Sequence, residues 1–318
     1  MKRLIAFLLG LMLLLLISFE AVLEEGGKLE YLKEHIVPLD DKDIPKTPSG
    51  MKHYLLISMD CWQNNLESPN YNDGMVLVTL DEATGRVIIS SFIRDMWVKH
   101  TDGHIGRINR AVRTSGPEGL MTVLNRHFGL EIDKYILLDW RHVMEIIDAA
   151  GGVELELTES EAKYLRGWSV PENSTEPILK GAGRYKLNGF SSVIYMRIRK
   201  RRSINDHDTQ DFGRSFRVRS VLSKLGRNLS KLSFSEAEKF LARVIEILES
   251  PYELNYSYPG IQRKTLFNTS PISPGKLRGK TNITASELFE ALSLAYSLRN
   301  SEIETIRLPF DGMVRPYE

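Results

Sequence analysis

One cysteine, Cys61, stands in the whole 318-residue chain, which excludes an intramolecular disulfide framework and every multi-cysteine zinc site or iron–sulfur cage. Stability has to come from packing. Net charge is nearly absent as well: 42 basic residues against 41 acidic ones leave +1, so no global field steers the chain onto nucleic acid or an anionic surface. Any anion site is therefore local. Also missing are a Gly-x-Ser-x-Gly nucleophile elbow, a Walker-type phosphate loop and any internal repeat. With 42% hydrophobic and 26% charged residues, the composition is that of a globular protein and not of a collagen-like, low-complexity or disordered one.

The first feature present is an apolar run. After Lys2 and Arg3, the sixteen residues Leu4 to Phe19 carry no charge. As a helix they rise about 24 Å, and Ala21, Val22 and Leu23 extend the stretch past Glu20 toward the thickness of a bilayer. Residues 1–23 read as a signal anchor or transmembrane helix, the alternative being a cleaved secretion signal. Lys2 and Arg3 keep the short N-terminus in the cytoplasm and place the rest of the chain outside it, at the cell membrane. Residues 24–50, with Gly26-Gly27 and Pro38, Pro45 and Pro48, read as a juxtamembrane stalk with Leu29-Glu30-Tyr31-Leu32 as a short helical piece.

From residue 51 the pattern becomes α/β. Tyr54–Met59, Met75–Leu80 and Val87–Ile93 read as strands, the last two joined through Asp81-Glu82-Ala83-Thr84-Gly85-Arg86 as a hairpin. Helices are expected over 116–129, 141–150, 189–198, 214–232, 235–248 and 286–298, with strands at 135–138, 153–157 and 303–308. The stretch 166–184 reads as a long loop. No linker interrupts 51–312, which is taken as one domain followed by a short tail, 313–318.

Charge is concentrated in one place. Between Arg197 and Arg219 lie eight basic residues and three acidic ones, a local surplus in a nearly neutral chain. Arginine dominates that segment, and its planar fork suits phosphate better than an ammonium does. Arg214 and Arg217, i and i+3 on an expected helix, share a face, while Arg197 and Arg199 flank the end of another element. Lys200, Arg201 and Arg202 read as a solvated run. Asp60 ends the first strand and Asp73 precedes the second. Both are ordinary turn residues, or else carboxylates meeting at one cleft, where Mg²⁺ or Mn²⁺ would take one or two of them together with phosphate oxygens. Arg94-Asp95 follows the third strand, at an end where sites of α/β sheets collect. His100 and His104 flank an Asp-Gly turn and read as structural or exposed, and Cys61 reads as buried.

Taken in order, these segments resemble the LytR-CpsA-Psr family of membrane-anchored cell-envelope phosphotransferases. Ile57-Ser58-Met59-Asp60, Asn72-Asp73-Gly74-Met75, Ile93-Arg94-Asp95 and Arg107-Ile108-Asn109-Arg110-Ala111 are similar to its successive motifs. So are Asp148-Ala149-Ala150-Gly151-Gly152-Val153, Leu187-Asn188-Gly189, Tyr195-Met196-Arg197-Ile198-Arg199 and Asp211-Phe212-Gly213-Arg214-Ser215-Phe216-Arg217. Departures are Gly74 for a threonine, Ile93 for a proline, Arg107 for a lysine and Val218 for a glutamine.

The resemblance implies an α/β/α sandwich around a mixed central β-sheet, preceded by one N-terminal transmembrane helix, with an apolar groove for a prenyl chain. It implies transfer of a polyprenyl-pyrophosphate-linked glycopolymer to a cell-wall acceptor such as peptidoglycan. Asp60 and Asp73 would hold Mg²⁺, and Arg94, Arg197, Arg199, Arg214 and Arg217 the pyrophosphate. Either Asp95 or Asp211 would take the acceptor's proton. Competing readings are a pyrophosphatase acting on the same lipid-linked substrate and a non-enzymatic polyprenyl-phosphate-binding envelope protein. A DNA-binding regulator is opposed by the exported topology and the balanced charge.

Overall fold

The computed structural model describes residues 30–59, 72–168, 179–199, 210–249 and 281–308. The apolar N-terminal run, Asp60, Cys61, the run Lys200–Arg202 and the tail 313–318 lie outside them. Among the described residues no helix is long and apolar enough to cross a membrane.

A five-stranded sheet carries the fold, built from β1 (Met51–Met59), β2 (Asn72–Asp81), β3 (Arg86–Phe92), β6 (Tyr135–Leu138) and β9 (Ile303–Leu308). Their order across the sheet is β6-β1-β2-β3-β9. β1, β2 and β3 pair antiparallel, whereas β6 joins β1 and β9 joins β3 in parallel. The sheet is therefore mixed, as expected. The hairpin turn works as its residues predict: Gly85 takes φ 66°, and Asp81 accepts hydrogen bonds from the backbone N–H and hydroxyl of Thr84.

Side-chain alternation divides the two faces. Leu55, Ile57, Met59, Met75, Leu77 and Phe92 pack with Leu120, Val123 and Leu124 of α2 (Ala111–Phe128) in one apolar cluster. Ser91, the neighbour of Phe92, points the other way and accepts a hydrogen bond from Arg219 of α6 (Gln210–Leu229). Helices thus cover both faces. Burying each such aliphatic side chain stabilises the fold by about 1.5–3 kcal/mol. α2 is kinked at Gly116, whose φ is 71°, so the expected start at 116 is a bend within a longer helical stretch.

A second cluster joins α3 (Trp140–Ala149), α4 (Glu159–Arg166), α5 (Gly189–Met196) and the hairpin of β7 (Val153–Leu157) with β8 (Gly183–Leu187). Here two of the recurring motifs prove to be packing devices. A Cβ on Gly189 would collide with the Met144 carbonyl oxygen, and the Gly189 N–H donates to Asp148 Oδ1 at 2.7 Å. Only glycine lets α5 start this close to α3. Gly152, at φ 83°, would put a Cβ 2.6 Å from the Leu187 carbonyl oxygen.

Several expectations need correction. The 166–184 stretch is not wholly a loop: β8 begins at Gly183. α4 and the short hairpin of β4 (Trp97–Lys99) with β5 (Ile105–Arg107) are additional elements. Helix α6 begins at Gln210, not Arg214, so Asp211 sits in its first turn. The expected short helical piece is present as α1, residues 30–35, but the segment after it is no loose stalk. Leu39 N–H donates to the Arg126 carbonyl, Arg126 forks onto both Asp41 carboxylate oxygens at 2.7 and 2.8 Å, and Lys46 reaches Glu131 at 2.6 Å. The last two helices, α7 (Phe234–Glu249) and α8 (Ala285–Ser297), fall close to their expected limits, α8 being opened by a Thr284/Glu287 capping box.

Candidate functional site

Charged side chains from β2, α6 and the segments leaving β3 and α5 meet at one end of the sheet. Asp73 lies at the start of β2 and Arg94 just past the end of β3, which brings them together because these strands are antiparallel. Arg94 Nη1 donates to Asp73 Oδ1 at 2.8 Å. On the same carboxylate, Arg214 Nη1 approaches Oδ2 at 3.3 Å and Arg199 Nη2 at 4.0 Å. A second carboxylate, Asp211, receives Arg94 Nε at 3.3 Å and Arg199 Nε at 3.6 Å. A third, Asp95, lies 3.6 Å from Arg94 Nε and 3.3 Å from Arg107 Nη1. A cavity of about 20 Å³ bounded by Asp73, Arg94, Asp211, Arg214 and Val218 adjoins them. It has room for about one water.

The electrostatics follow from this crowding. Burial works to raise the Asp73 carboxyl, but Arg214, Arg94 and Arg199 outweigh it and hold Asp73 below its ordinary value. Burial likewise opposes the charge on Arg94, and Asp73, Asp211 and Asp95 more than compensate, so Arg94 is raised. Arg214 behaves differently. Burial pulls it down, Asp73 resists, and the like charges of Arg94, Arg199 and Arg197 add to the fall. That mutual repulsion places four guanidinium groups in one field. An anion entering there adds attractive terms that offset the cation–cation repulsion.

The other two aspartates split. Asp95 is raised by burial and by its hydrogen bond to Asp211. Burial also works to raise Asp211, but that bond together with Arg94, Arg199 and Arg214 holds it low. The two carboxyls thus depart from the ordinary aspartate value in opposite directions, Asp95 upward and Asp211 downward.

Of the residues picked out from the sequence, Asp73, Arg94, Asp95, Arg199, Asp211 and Arg214 converge, and Arg197 adds its charge to theirs. Asp211 lies about one helical turn before Arg214 on α6, so both reach the same cleft. Asp60 lies outside the described residues. Arg217 is the exception: it is turned into the interior, 0% exposed, with Nε donating to Glu161 Oε1 at 2.9 Å. The i, i+3 spacing on which a shared face was expected leaves the two side chains about 60° apart around the helix, and that angle separates cleft from core. Two contributors had no role assigned from the sequence. Arg107 pairs with Asp95, and Glu161 pairs with Arg217. The Thr158-x-x-Glu161 spacing is a capping box, so the sequence carries a signal for Glu161 as a helix start, though none for its ion pair.

Two departures from the motifs have local causes. Gly74 pairs with Ser58 in the β1–β2 register, and a Cβ on it would sit 3.0 Å from Ser58 Cβ, so a threonine there would press on β1. Val218 lines the small cavity where a polar glutamine would otherwise stand.

Among the described residues no group of three or more His, Cys, Asp and Glu side chains forms a metal cage. Asp73 does present a carboxylate to the cleft beside the arginines. One carboxylate next to an anion site suits a hard ion that arrives with phosphate oxygens and keeps its waters.

The chain is similar to several known proteins. The chain is 26% identical over 212 residues to Biofilm regulatory protein A of Streptococcus mutans, a match spanning 62% of this chain and 47% of that protein. It is 26% identical over 184 residues to the polyisoprenyl-teichoic acid–peptidoglycan teichoic acid transferase TagV of Bacillus subtilis, over 56% of this chain and 44% of that one. This chain therefore spans about half the length of the curated relatives it matches. A solved structure of TagT bound to LIIa-WTA superposes with a TM-score of 0.58 at 16% identity, covering 85% of this chain and 84% of that one, a likeness of fold. The LytR_cpsA_psr family model matches residues 39–262, and the chain belongs to that family.

Proposed function

We propose that this chain is an extracytoplasmic phosphotransferase that moves a polyprenyl-pyrophosphate-linked glycopolymer onto a cell-wall acceptor such as peptidoglycan, tethered to the membrane by residues 1–23. The observation that carries the reading is the convergence of Arg94, Arg199 and Arg214 on Asp73, with Arg197 in the same field. Supporting it is the name of the relative TagV, a teichoic acid transferase. Phosphoryl transfer asks the protein mainly to position groups and to stabilise charge on the phosphate oxygens. Fixed guanidinium groups do both.

In this reading Arg94, Arg199 and Arg214 exchange carboxylate oxygens for those of the diphosphate. Asp73, with Asp60, would hold Mg²⁺ or Mn²⁺, which when bound would neutralise charge on the same oxygens. The acceptor hydroxyl oxygen attacks the glycan-linked phosphorus. The bond from that phosphorus to the bridging oxygen breaks, and polyprenyl phosphate leaves with the bond's electron pair. Asp95, once ionised, takes the hydroxyl proton. It is chosen over Asp211 because it is the more exposed of the two, 35% against 22%.

The test is turnover of a lipid-linked glycopolymer with and without a peptidoglycan acceptor. Glycan joined to the acceptor, with release of polyprenyl phosphate, is the expected result. Free phosphorylated glycan without acceptor would make the protein a pyrophosphatase, and tight binding with no turnover would make it a lipid-phosphate-binding protein.

A further inference from the structure

Glu161 and Arg217 form an ion pair in which both side chains are 0% exposed. Taking two charges out of water costs more than their attraction returns unless their remaining hydrogen-bonding capacity is also met. Here it is met. Glu161 Oε2 accepts from the Thr158 N–H at 2.9 Å and from its hydroxyl at 3.0 Å, closing the capping box of α4. Arg217 Nη1 donates to the Ile198 carbonyl oxygen at 3.2 Å, and the guanidinium lies 5.7 Å from the centre of the Tyr195 ring. One pair thus ties together the start of α4, the middle of α6 and the chain leaving α5.

The position of that carbonyl gives the pair its use. Ile198 stands between Arg197 and Arg199, just past the last residue of α5, where the regular helical hydrogen bonds have run out. Its own side chain is buried, whereas Arg197 and Arg199 on either side of it are only partly so. An apolar pair of similar volume would fill the same space, but it would offer nothing to a carbonyl oxygen.

We propose that Glu161 and Arg217 are positioning residues for the anion site: by holding the Ile198 carbonyl they fix the directions in which Arg197 and Arg199 leave the backbone. This rests on the diphosphate reading given above. Arg217 thereby becomes a strut and not a ligand, and Glu161, which lies in none of the recurring motifs, joins the machinery of substrate binding.

The experiment is calorimetric titration of the full-length chain in detergent with inorganic pyrophosphate, with thermal unfolding followed in parallel. Glu161→Gln is expected to weaken binding about tenfold, and most of that loss should vanish in an Arg199→Ala background, because both changes act on the same guanidinium. Glu161→Leu with Arg217→Met refills the interior with apolar atoms. It should unfold near the wild-type temperature yet bind as weakly as Glu161→Gln, a separation that a purely structural pair would not produce. If Glu161→Gln does not fold, this double variant carries the test. Wild-type affinity in the double variant, or additive losses with Arg199→Ala, would overturn the proposal. So would a loss in Arg217→Lys that Glu161→Gln does not share, which would make Arg217 a direct ligand. A wild-type chain that ignores pyrophosphate would overturn the diphosphate reading itself.

Discussion

Arg94 and Asp73 face each other across the open end of a hairpin. Val76 pairs with Ser91, and carrying that register three residues further sets position 73 opposite position 94, where Nη1 and Oδ1 are 2.8 Å apart. The turn at the far end of the hairpin therefore sets the centre of the site. Removing the guanidinium should leave the sheet intact and remove the main donor to the phosphate. Arg94→Ala is expected to lower transfer by about a hundredfold or more, measured as kcat/KM with a lipid-linked substrate, while the circular dichroism spectrum stays unchanged.

The raised Asp95 carboxyl gives activity a pH signature. A proton acceptor works only when ionised, so rate should rise with pH through the raised Asp95 value. Asp211→Asn removes the negative neighbour that helps raise it, and the acidic limb of the profile should then move to lower pH. A limb that stays in place would remove Asp95 from the role. Asp95→Asn should abolish the limb and lower kcat by about 10²–10⁴.

Stability should respond to acid through a different carboxylate. An unfolded aspartate titrates near 3.8 and Asp73 in the fold lies below that, so between the two values the unfolded chain binds more protons and folding gains stability as pH rises. The contribution is complete above the unfolded value and is lost as pH falls below about 4. Urea unfolding at several pH values should show this loss in the wild type and less of it in Asp73→Asn.

Gly189 offers a test confined to packing. The space a Cβ would need there is taken by the Met144 carbonyl, so Gly189→Ala forces α5 away from α3. A loss of about 3 kcal/mol or more in urea denaturation is expected, at the upper end of what overpacking costs.

How much of this can be read from the sequence varies with the strength of the local signal. The hairpin of β2 and β3 announces itself by two apolar runs around a turn-rich connection, and α3 by a stripe ending in Gly151-Gly152. β8 does not. Gly183-Arg184-Tyr185-Lys186-Leu187 carries few apolar residues because only one of its faces meets the second core, and strands of three residues such as β4 and β5 are too short for a period to show. The arginines of the site are legible as a local surplus of charge. Which of them turns inward is not, since Arg217 differs from Arg214 only in what lies opposite it, and Glu161 comes from 56 positions away in the chain.

β9 has a consequence for how the site is made. Its last residue, Leu308, pairs with Phe92 and accepts a hydrogen bond from the Ile93 N–H, directly before Arg94. That bond closes a loop of more than two hundred residues, the slowest kind of contact for a chain to find. Until residues beyond 300 have emerged and docked, the strand that presents Arg94 has a bare edge, open to association with other chains. A protein cut short before Ile303 would keep every arginine of the site and still lack the support that aims one of them.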